Sequence, residues 1–274
     1  MIDIDLIKRA IAEDLEGGVD VTSTSTISVV SVSTADFTSR KSGVLAGIDM
    51  VIATLKEVGL TDIQVKKNDG DSLKPGDVIL TVTGNTRAIL LAERTALNFV
   101  GHLSGIASLT SQWVAAVAGT KCKVRDTRKT TPGYRQLEKY AVRMGGGTNH
   151  RMSLSDAALI KDNHIAAAGG VSQAFSAVRS AFPDAPIEIE VDTLNQLREV
   201  LPLKPDLVLL DNMEPALCAE AVAIVNGAVK LEASGGISIE NAKAFADSGV
   251  DYIAIGALTH SAPVLDIGLD LRAE

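Results

Sequence analysis

The chain has 274 residues and a formal net charge of −8, with 46% hydrophobic and only 3% aromatic residues. This length accommodates one large or two modest domains with an ample core. The acidic balance and the scarcity of aromatic rings argue against nucleic-acid binding, which needs phosphate attraction and stacking surfaces. No stretch reaches the roughly 18 apolar residues of a membrane helix, so no membrane partner is expected. Cys122 and Cys218 stand alone, which predicts a reduced, cytoplasmic protein.

The N-terminal region has the pattern of a small unit of mixed helices and strands. Ile4, Ile7 and Ile11 form one helical stripe, which predicts a helix over 4–15. A loop rich in Ser and Thr follows at 22–28. The further predicted elements are strands at 29–38, 62–67 and 77–83 and a helix at 48–58.

Residues 86–118 have an almost continuous helical pattern. Gly101 and Gly105 are expected to break it into two helices. Arg94 lies in an otherwise apolar part of this run. Two interpretations are open: the side chain reaches from a packed helix to solvent, or it reaches a ligand.

From residue 121 onward, strands alternate with helices. The predicted strands are 122–126, 158–161, 187–191, 207–210, 229–233 and 252–255, and the predicted helices are 133–143, 171–181, 193–200, 214–225 and 238–248. Such alternation predicts a parallel sheet, open or closed into a barrel. Each strand ends in polar or glycine residues, as in a barrel with one catalytic face. Polar and apolar residues alternate in 187–192 and 229–234, so Glu188, Glu190 and Glu232 are expected to point inward. Six strands are fewer than eight, so an irregular and incomplete parallel α/β barrel is expected.

The segment 121–164 is strongly cationic within this acidic chain. It contains ten Lys or Arg against four Asp or Glu, a local charge of 10 − 4 = +6. Glycine and proline turns interrupt it, and such turns let the backbone approach a ligand. The candidate residues are Arg128, Lys129, His150, Arg151 and Lys161. These cations suit a small dianion such as a dicarboxylate, although a solvated basic face is the other interpretation.

A second anion site is predicted at two later strand ends. Ser234, Gly235 and Gly236 form one turn and Gly256 belongs to the other, a pattern typical of phosphate binding on late barrel strands. On earlier strands, Glu190 and Asp211 offer the oxygen ligands that Mg²⁺ prefers, although helix caps or salt bridges would also use such acids. Together, these sites suggest a phosphorylated sugar transferred to an acidic acceptor.

Motifs along nearly the whole chain resemble the quinolinate phosphoribosyltransferase family. They are ERTALN (93–98), DTRKTTPG (126–133), KYAVRMGGGTNHR (139–151), LIKDNH (159–164), EIEVD (188–192), LLDN (209–212), EASGGI (232–237) and IGALTHS (255–261). The resemblance implies an N-terminal α/β sandwich domain at 1–103 and a barrel domain at 104–261, with the tail 262–274 packing on the first. It also implies a homodimer with shared active sites.

The resemblance further implies a reaction and a set of roles. Quinolinate and phosphoribosyl pyrophosphate would give nicotinate mononucleotide, CO₂ and pyrophosphate, with Mg²⁺, in NAD synthesis. Quinolinate-site positions would be Arg128, Lys129, His150, Arg151 and Lys161, with Arg94 from the partner subunit. Sugar and metal positions would be Glu190 and Asp211, and phosphate positions would be Ser234, Gly235, Gly236 and Gly256. Lys129, Lys161, Glu190 and Asp211 are the catalytic candidates. Met144 and Ser153 depart from the residues usual in this family.

Three other functions are compatible with parts of the pattern. One is a phosphoribosyltransferase of the same kind acting on another acidic acceptor. Another is a barrel lyase that uses Lys161 as a Schiff-base nucleophile. The third is a module that binds an anion without turnover, a function in which the acids Glu190 and Asp211 would have no role. The usual phosphoribosyl-pyrophosphate motif, a hydrophobic run ending in two adjacent acids, is absent, since Asp211 is followed by Asn212.

Overall fold

The computed structural model describes residues 2–272, and contacts divide them into two compact units. The first unit takes residues from Met1–Leu109, Gln136–Gly146 and Ser261–Glu274, and the second takes Thr110–Arg135 and Gly147–His260. The sequence analysis placed boundaries after residues 103 and 261, with the tail on the first domain; the contacts also assign Gln136–Gly146 to the first unit.

The first unit is built on a four-stranded antiparallel sheet of order β12-β1-β5-β3. Its strands are β1 (Val32–Ser39), β3 (Asp62–Val65), β5 (Val78–Asn85) and β12 (Ile267–Leu271), and the short strands β2 (Gly43–Val44) and β4 (Ser72–Leu73) form a separate pair. The helices are α1 (Ile4–Leu15), α2 (Val21–Thr26), α3 (Ile48–Glu57) and α4 (Thr86–Ala116). Phe37, Leu55, Leu80 and Ile89 belong to the apolar core that joins the sheet to α3 and α4.

The prediction that glycines break the long helix is wrong, because α4 runs unbroken from Thr86 to Ala116. A Cβ atom on Gly105 would lie 2.1 Å from the carbonyl oxygen of Pro263, and one on Gly101 would lie 2.9 Å from Cγ1 of Val264. The backbone N–H of Leu265 also donates to the carbonyl oxygen of Gly101 at 3.0 Å. These glycines therefore admit a neighbouring chain segment against the helix, a packing role that outweighs their low helix propensity.

Three short helices were not predicted, of which α11 (Ala257–His260) is the shortest. Helix α2 occupies most of the segment 22–28 that was expected to be a loop, and Asp20 caps it by accepting from the backbone N–H groups of Thr22 and Ser23. Helix α6 (Asp162–Ala168) begins directly after Lys161. Helices α2 and α6 are both too short to show apolar periodicity, so their capping contacts decide their conformation.

The second unit contains a six-stranded parallel sheet of order β6-β11-β10-β9-β8-β7. The strands are β6 (Lys123–Arg125), β7 (Ala158–Ile160), β8 (Ile187–Val191), β9 (Leu207–Asp211), β10 (Lys230–Ser234) and β11 (Tyr252–Ala254). The later helices of the chain are α5 (Arg135–Met144), α6, α7 (Val171–Ala181), α8 (Leu194–Val200), α9 (Pro215–Val225), α10 (Ile239–Asp247) and α11 (Ala257–His260), with a 3₁₀ turn at Leu201–Leu203. Within residues 2–272, β6 and β7 do not pair, so the barrel is incomplete as predicted.

The two faces of this sheet carry different side chains, as the alternation in 187–192 predicted. Ile187, Ile189 and Val191 are fully buried on one face. On the other, Glu190 lies in register with Leu209 of β9, and Leu209 with Glu232 of β10. Glu190 is 6% exposed and Glu232 is fully buried. This acidic face requires charged partners.

None of the helices described between residues 2 and 272 has the length and apolar character required to cross a membrane.

Candidate active site at the carboxyl ends of the parallel strands

A cavity of about 670 Å³ opens at the carboxyl ends of the parallel strands. All the predicted site residues except Arg94 and Glu190 line it. It also includes Ala257 and His260 from the predicted turn that begins at Gly256. The residues that the sequence analysis did not assign to a site are Thr127, Leu159, Leu209, Asn212, Glu232, Ile237, Ala254 and Ile255. Two predicted anion sites, far apart in the sequence, therefore share one cavity.

Two loops supply the cations. The first anion loop (residues 126–134) carries Arg128 and Lys129, and the second anion loop (residues 147–157) carries His150 and Arg151. The hydroxyl of Thr259 donates to the carbonyl oxygen of Lys129 at 2.8 Å and fixes the first loop to α11. On the second loop, Nη1 of Arg151 donates to the carbonyl oxygen of Ala157 at 2.8 Å.

The cationic side of the cavity is short of negative charge. Burial, followed by the positive charge of Arg128, lowers the pKa of Arg151. Nε of Arg128 is buried and has no hydrogen-bond partner within residues 2–272. An unsatisfied buried donor costs about 1–3 kcal/mol. Both features favour a bound anion at this point.

His150 belongs to a buried hydrogen-bond network. Its ring is 7% exposed, Nε2 lies 2.7 Å from Oε2 of Glu188, and Nδ1 accepts the backbone N–H of Arg151 at 2.8 Å. Because Nδ1 accepts a hydrogen bond, the ring proton is on Nε2, and Nε2 donates a hydrogen bond to Glu188. His150, Glu188 and Glu232 are close enough to suggest a metal site. A protonated Nε2 has no electron pair for a metal, so the geometry is that of a hydrogen-bonded network.

Glu232 is the most deeply buried acid of this network. Burial first, and the charge of Glu188 second, raise its pKa to about 7. Nη1 of Arg125 donates to Oε2 of Glu232 at 2.7 Å, and the same guanidinium lies 4.6 Å from the ring centre of Tyr252. The sequence alternation predicted that Glu232 points inward. It did not predict the pairing with Arg125, which is more than 100 residues away in the sequence.

Lys161 and Glu190 form an ion pair at the edge of the cavity. The distance from Nζ of Lys161 to Oε2 of Glu190 is 2.6 Å, and the lysine side chain is about half exposed whereas the glutamate is buried. Lys161 lines the cavity and Glu190 does not. The lysine therefore covers the acid in this conformation.

Asp211 and Asn212 join the acidic side of the cavity to the Ser-Gly-Gly turn. Burial first, and the charge of Glu190 second, raise the pKa of Asp211. The side-chain amide of Asn212 donates to Asp211 at 2.6 Å, and its backbone N–H donates to the carbonyl oxygen of Ser234 at 2.8 Å. Asn212 has a positive φ of 53°, a conformation that asparagine tolerates. Its place directly after Asp211 was the only sequence signal for this role.

One glycine of the predicted phosphate site, Gly235, is required by its surroundings, and a second, Gly256, lies close to a lysine side chain. Gly235 has a φ of 88°, and a Cβ there would lie 2.1 Å from Oδ1 of Asn212. A Cβ on Gly256 would lie 2.9 Å from Cδ of Lys129. The glycines leave backbone exposed to the cavity, which suits a phosphate group.

Arg94 lies on α4 in the first unit, has an exposed side chain and does not line the cavity. An exposed side chain agrees with both interpretations, a contact with solvent and a contact with a ligand.

Comparison with known proteins shows that both halves of the chain match models of one family. Residues 20–104 match the family described as quinolinate phosphoribosyl transferase, N-terminal domain, and residues 106–270 match its C-terminal domain.

Individual relatives are similar over nearly their whole length. The chain is 50% identical to nicotinate-nucleotide pyrophosphorylase [carboxylating] of Mycobacterium leprae, covering 97% of this chain and 96% of the relative. It is 42% identical to the probable enzyme of that name from Bacillus subtilis, covering 97% and 92%. The crystal structure of nicotinate-nucleotide pyrophosphorylase from Ehrlichia chaffeensis matches with a TM-score of 0.93 at 39% identity, covering 98% of each chain. The chain belongs to the quinolinate phosphoribosyltransferase family.

Proposed function

We propose that this protein transfers phosphoribose from phosphoribosyl pyrophosphate to quinolinate, with decarboxylation, to form nicotinate mononucleotide in NAD synthesis. The observation that carries the proposal is the composition of one cavity. Loop cations short of negative charge lie on one side, and buried acids with a glycine turn lie on the other. The first side suits a dicarboxylate and the second suits a phosphorylated ribose.

On the acceptor side, the proposed quinolinate ligands are Arg128, Lys129, Arg151 and Lys161. Guanidinium groups bind carboxylates in two-point geometry, which fixes the plane of the ring. The unsatisfied Nε of Arg128 supports this role. We assign His150 to the wall of the same pocket, where its hydrogen bond to Glu188 holds the ring in place.

On the sugar side, Ser234, Gly235, Gly236 and Gly256 are the proposed phosphate contacts. Glu190 and Asp211 would hold Mg²⁺, because they present oxygen ligands from adjacent strands and the charge of Glu190 already raises the pKa of Asp211. A cation there would relieve this repulsion, so the residues fit the ion. When bound, Mg²⁺ would neutralise charge on the pyrophosphate.

Residues of the chain contribute to three steps of the reaction. As pyrophosphate leaves, positive charge develops on the ribose, and the carboxylates of Glu190 and Asp211 stabilise it. The pyridine nitrogen then attacks C1, so the cations must hold the ring with that nitrogen facing the ribose. Finally, the carboxylate next to the nitrogen leaves as CO₂, and a proton takes its place on the ring carbon. Cations that bind the retained carboxylate more tightly favour this loss.

The Lys161–Glu190 pair connects the two sides. Lys161 and Glu190 neutralise each other at 2.6 Å. An arriving quinolinate carboxylate competes for Lys161, which would release Glu190 to the sugar side. The pair also disfavours a Schiff-base lyase, since an ammonium group in an ion pair has no electron pair to attack a carbonyl.

We further propose a homodimer in which Arg94 of each subunit completes the acceptor site of the other. Its support is a charge in an unusual place. Arg94 is exposed, and its neighbours Ala92, Ala96 and Leu97 on α4 are apolar and buried. We place the enzyme in the cytoplasm, in keeping with the free thiols of Cys122 and Cys218.

The direct test is turnover. The protein is incubated with phosphoribosyl pyrophosphate, Mg²⁺ and either quinolinate or nicotinate, and CO₂ and nicotinate mononucleotide are measured. Each charge-assisted bond contributes roughly 1.5–3 kcal/mol, so quinolinate should be preferred by at least tenfold. Comparable turnover of nicotinate would exclude the quinolinate assignment and favour another acidic acceptor.

A further inference from the structure

Arg135 joins the two anion loops through its guanidinium group. It is the first residue of α5, outside both loops, and its side chain is half-buried. Nε donates to Oγ1 of Thr130 on the first anion loop at 3.0 Å, and Nη1 donates to the carbonyl oxygen of Met152 on the second at 3.2 Å. One planar group therefore contacts both loops that carry the cationic residues.

The two contact points lie next to the cations themselves. Thr130 bonds back to the carbonyl oxygen of Arg128 through its backbone N–H at 2.9 Å. Met152 directly follows Arg151, and its own N–H donates to Asp156 at 2.9 Å. A movement of either loop away from Arg135 would therefore displace one member of the pair Arg128 and Arg151.

The loops need such a connection because they carry like charges. The charge of Arg128 contributes to the lowered pKa of Arg151, which means that the two guanidinium groups repel each other across the loops. No acid of residues 2–272 forms an ion pair with Arg128. Local preference does not explain the position of Arg135 either, because a cation at the first residue of a helix opposes the helix dipole. A tertiary role explains why it stands there.

We propose that Arg135 is a positioning residue for the acceptor site, where its guanidinium holds the two anion loops at the spacing that a dicarboxylate requires. This inference rests on the proposed function for the identity of the ligand, but the connection between the loops does not depend on it. Arginine is suited to the task because its fork presents separate donors in fixed directions, whereas a lysine ammonium is a single point.

The test compares Arg135→Met, Arg135→Lys and a control, Arg198→Met. Arg198 is an exposed arginine on α8 whose contacts are with its own helix, to Leu194 and Asn195. Amide hydrogen exchange measures the loops without any ligand. Its reporters are the N–H groups of Thr130 and Tyr134 on the first loop and of His150 and Met152 on the second. Strand β8 serves as the internal reference.

In Arg135→Met, exchange should accelerate in both loops and remain unchanged in β8. The dissociation constant and KM for quinolinate should rise on the order of 10-fold to 100-fold, because misplacement of binding groups by about 1 Å has effects of that size. The KM for phosphoribosyl pyrophosphate should stay near that of the wild type and of Arg198→Met. Arg135→Lys should resemble Arg135→Met.

Two results would overturn the proposal. One is unchanged loop exchange in Arg135→Met, and the other is full recovery of quinolinate affinity in Arg135→Lys, which would mean that charge alone matters. Failure of the proposed function looks different. In that case the wild type itself would not use quinolinate, while the exchange measurement would still report on the loops.

Discussion

The two sides of the cavity are built by different means. On the sugar side, Asp211 and Ser234 are the last residues of neighbouring strands and are paired in register across β9 and β10. On the acceptor side, Arg128 and Arg151 lie on loops beyond the strand ends. These loops are held by side chains such as Thr259 and Arg135, and by backbone hydrogen bonds of Thr148 with Val124 and Asp126. Pairing of neighbouring strands therefore positions the acids, whereas contacts of individual loop residues position the cations.

The difference has a chemical reason. A developing charge on the ribose needs groups that do not reorganise during the reaction, and strand ends provide them. The acceptor must enter, turn its nitrogen toward the ribose and leave as a different molecule, so residues on loops suit it better. Substitutions on the two sides should consequently change different kinetic constants.

The largest effect is expected on the sugar side. Glu190→Gln and Asp211→Asn preserve shape and remove charge, so kcat should fall about 10²–10³-fold while quinolinate still binds. Asp192→Asn is the control, because Asp192 is exposed just beyond the same strand and does not line the cavity. Steady-state kinetics with titrated Mg²⁺ and calorimetric binding of quinolinate would measure this. Loss of quinolinate binding with a normal response to Mg²⁺ would reverse the assignment of the two sides.

A smaller effect, on KM, is expected on the acceptor side. Lys129→Ala and Arg151→Ala each remove one charge-assisted bond of roughly 1.5–3 kcal/mol, so the KM for quinolinate should rise about 10-fold to 100-fold. The KM for phosphoribosyl pyrophosphate and the circular dichroism spectrum should stay unchanged. Lys243→Ala, an exposed lysine on α10, is the matched control. Near-normal efficiency of both variants at low quinolinate would make the cationic segment a solvated surface.

Mixed dimers test whether Arg94 contributes to the acceptor site in addition to the two anion loops. Arg94→Ala and Lys129→Ala should each be weakly active alone at low quinolinate. If Arg94 acts across a dimer, a mixed dimer has one intact site, and equal mixing should recover about a quarter of wild-type activity. Co-expression with two affinity tags would verify that subunits exchange. Exchanged but inactive dimers would place Arg94 within its own subunit or outside the site.

The smallest effect concerns the free energy of unfolding and its dependence on pH through Glu232 of β10. The pKa of Glu232 is raised from 4.5 to about 7. The folded state therefore favours the protonated form, and this stabilisation is complete below pH 4.5 and lost as the pH rises through 7. Between these values, the free energy of unfolding of the wild type should fall relative to Glu232→Gln by on the order of 2 kcal/mol.

Urea unfolding at several pH values would measure this difference. Its change with pH is informative even if the variant is less stable throughout, because Arg125 loses a charged partner in Glu232→Gln. Parallel profiles for the two proteins would mean that Glu232 does not titrate in this range.

Local sequence patterns determined the βα rhythm, the inward direction of Glu188, Glu190 and Glu232, and the glycine turns at the strand ends. These features depend on periodicities of two and 3.6 residues and on backbone preferences, which a short segment carries by itself. Tertiary structure decided the continuity of α4 at Gly105, the pairing of Lys161 with Glu190 and the connection made by Arg135. Each of these depends on a contact between segments whose spacing is set by strand order and loop path. Such distances have no periodic signature in the sequence, and for that reason only the folded chain defines them.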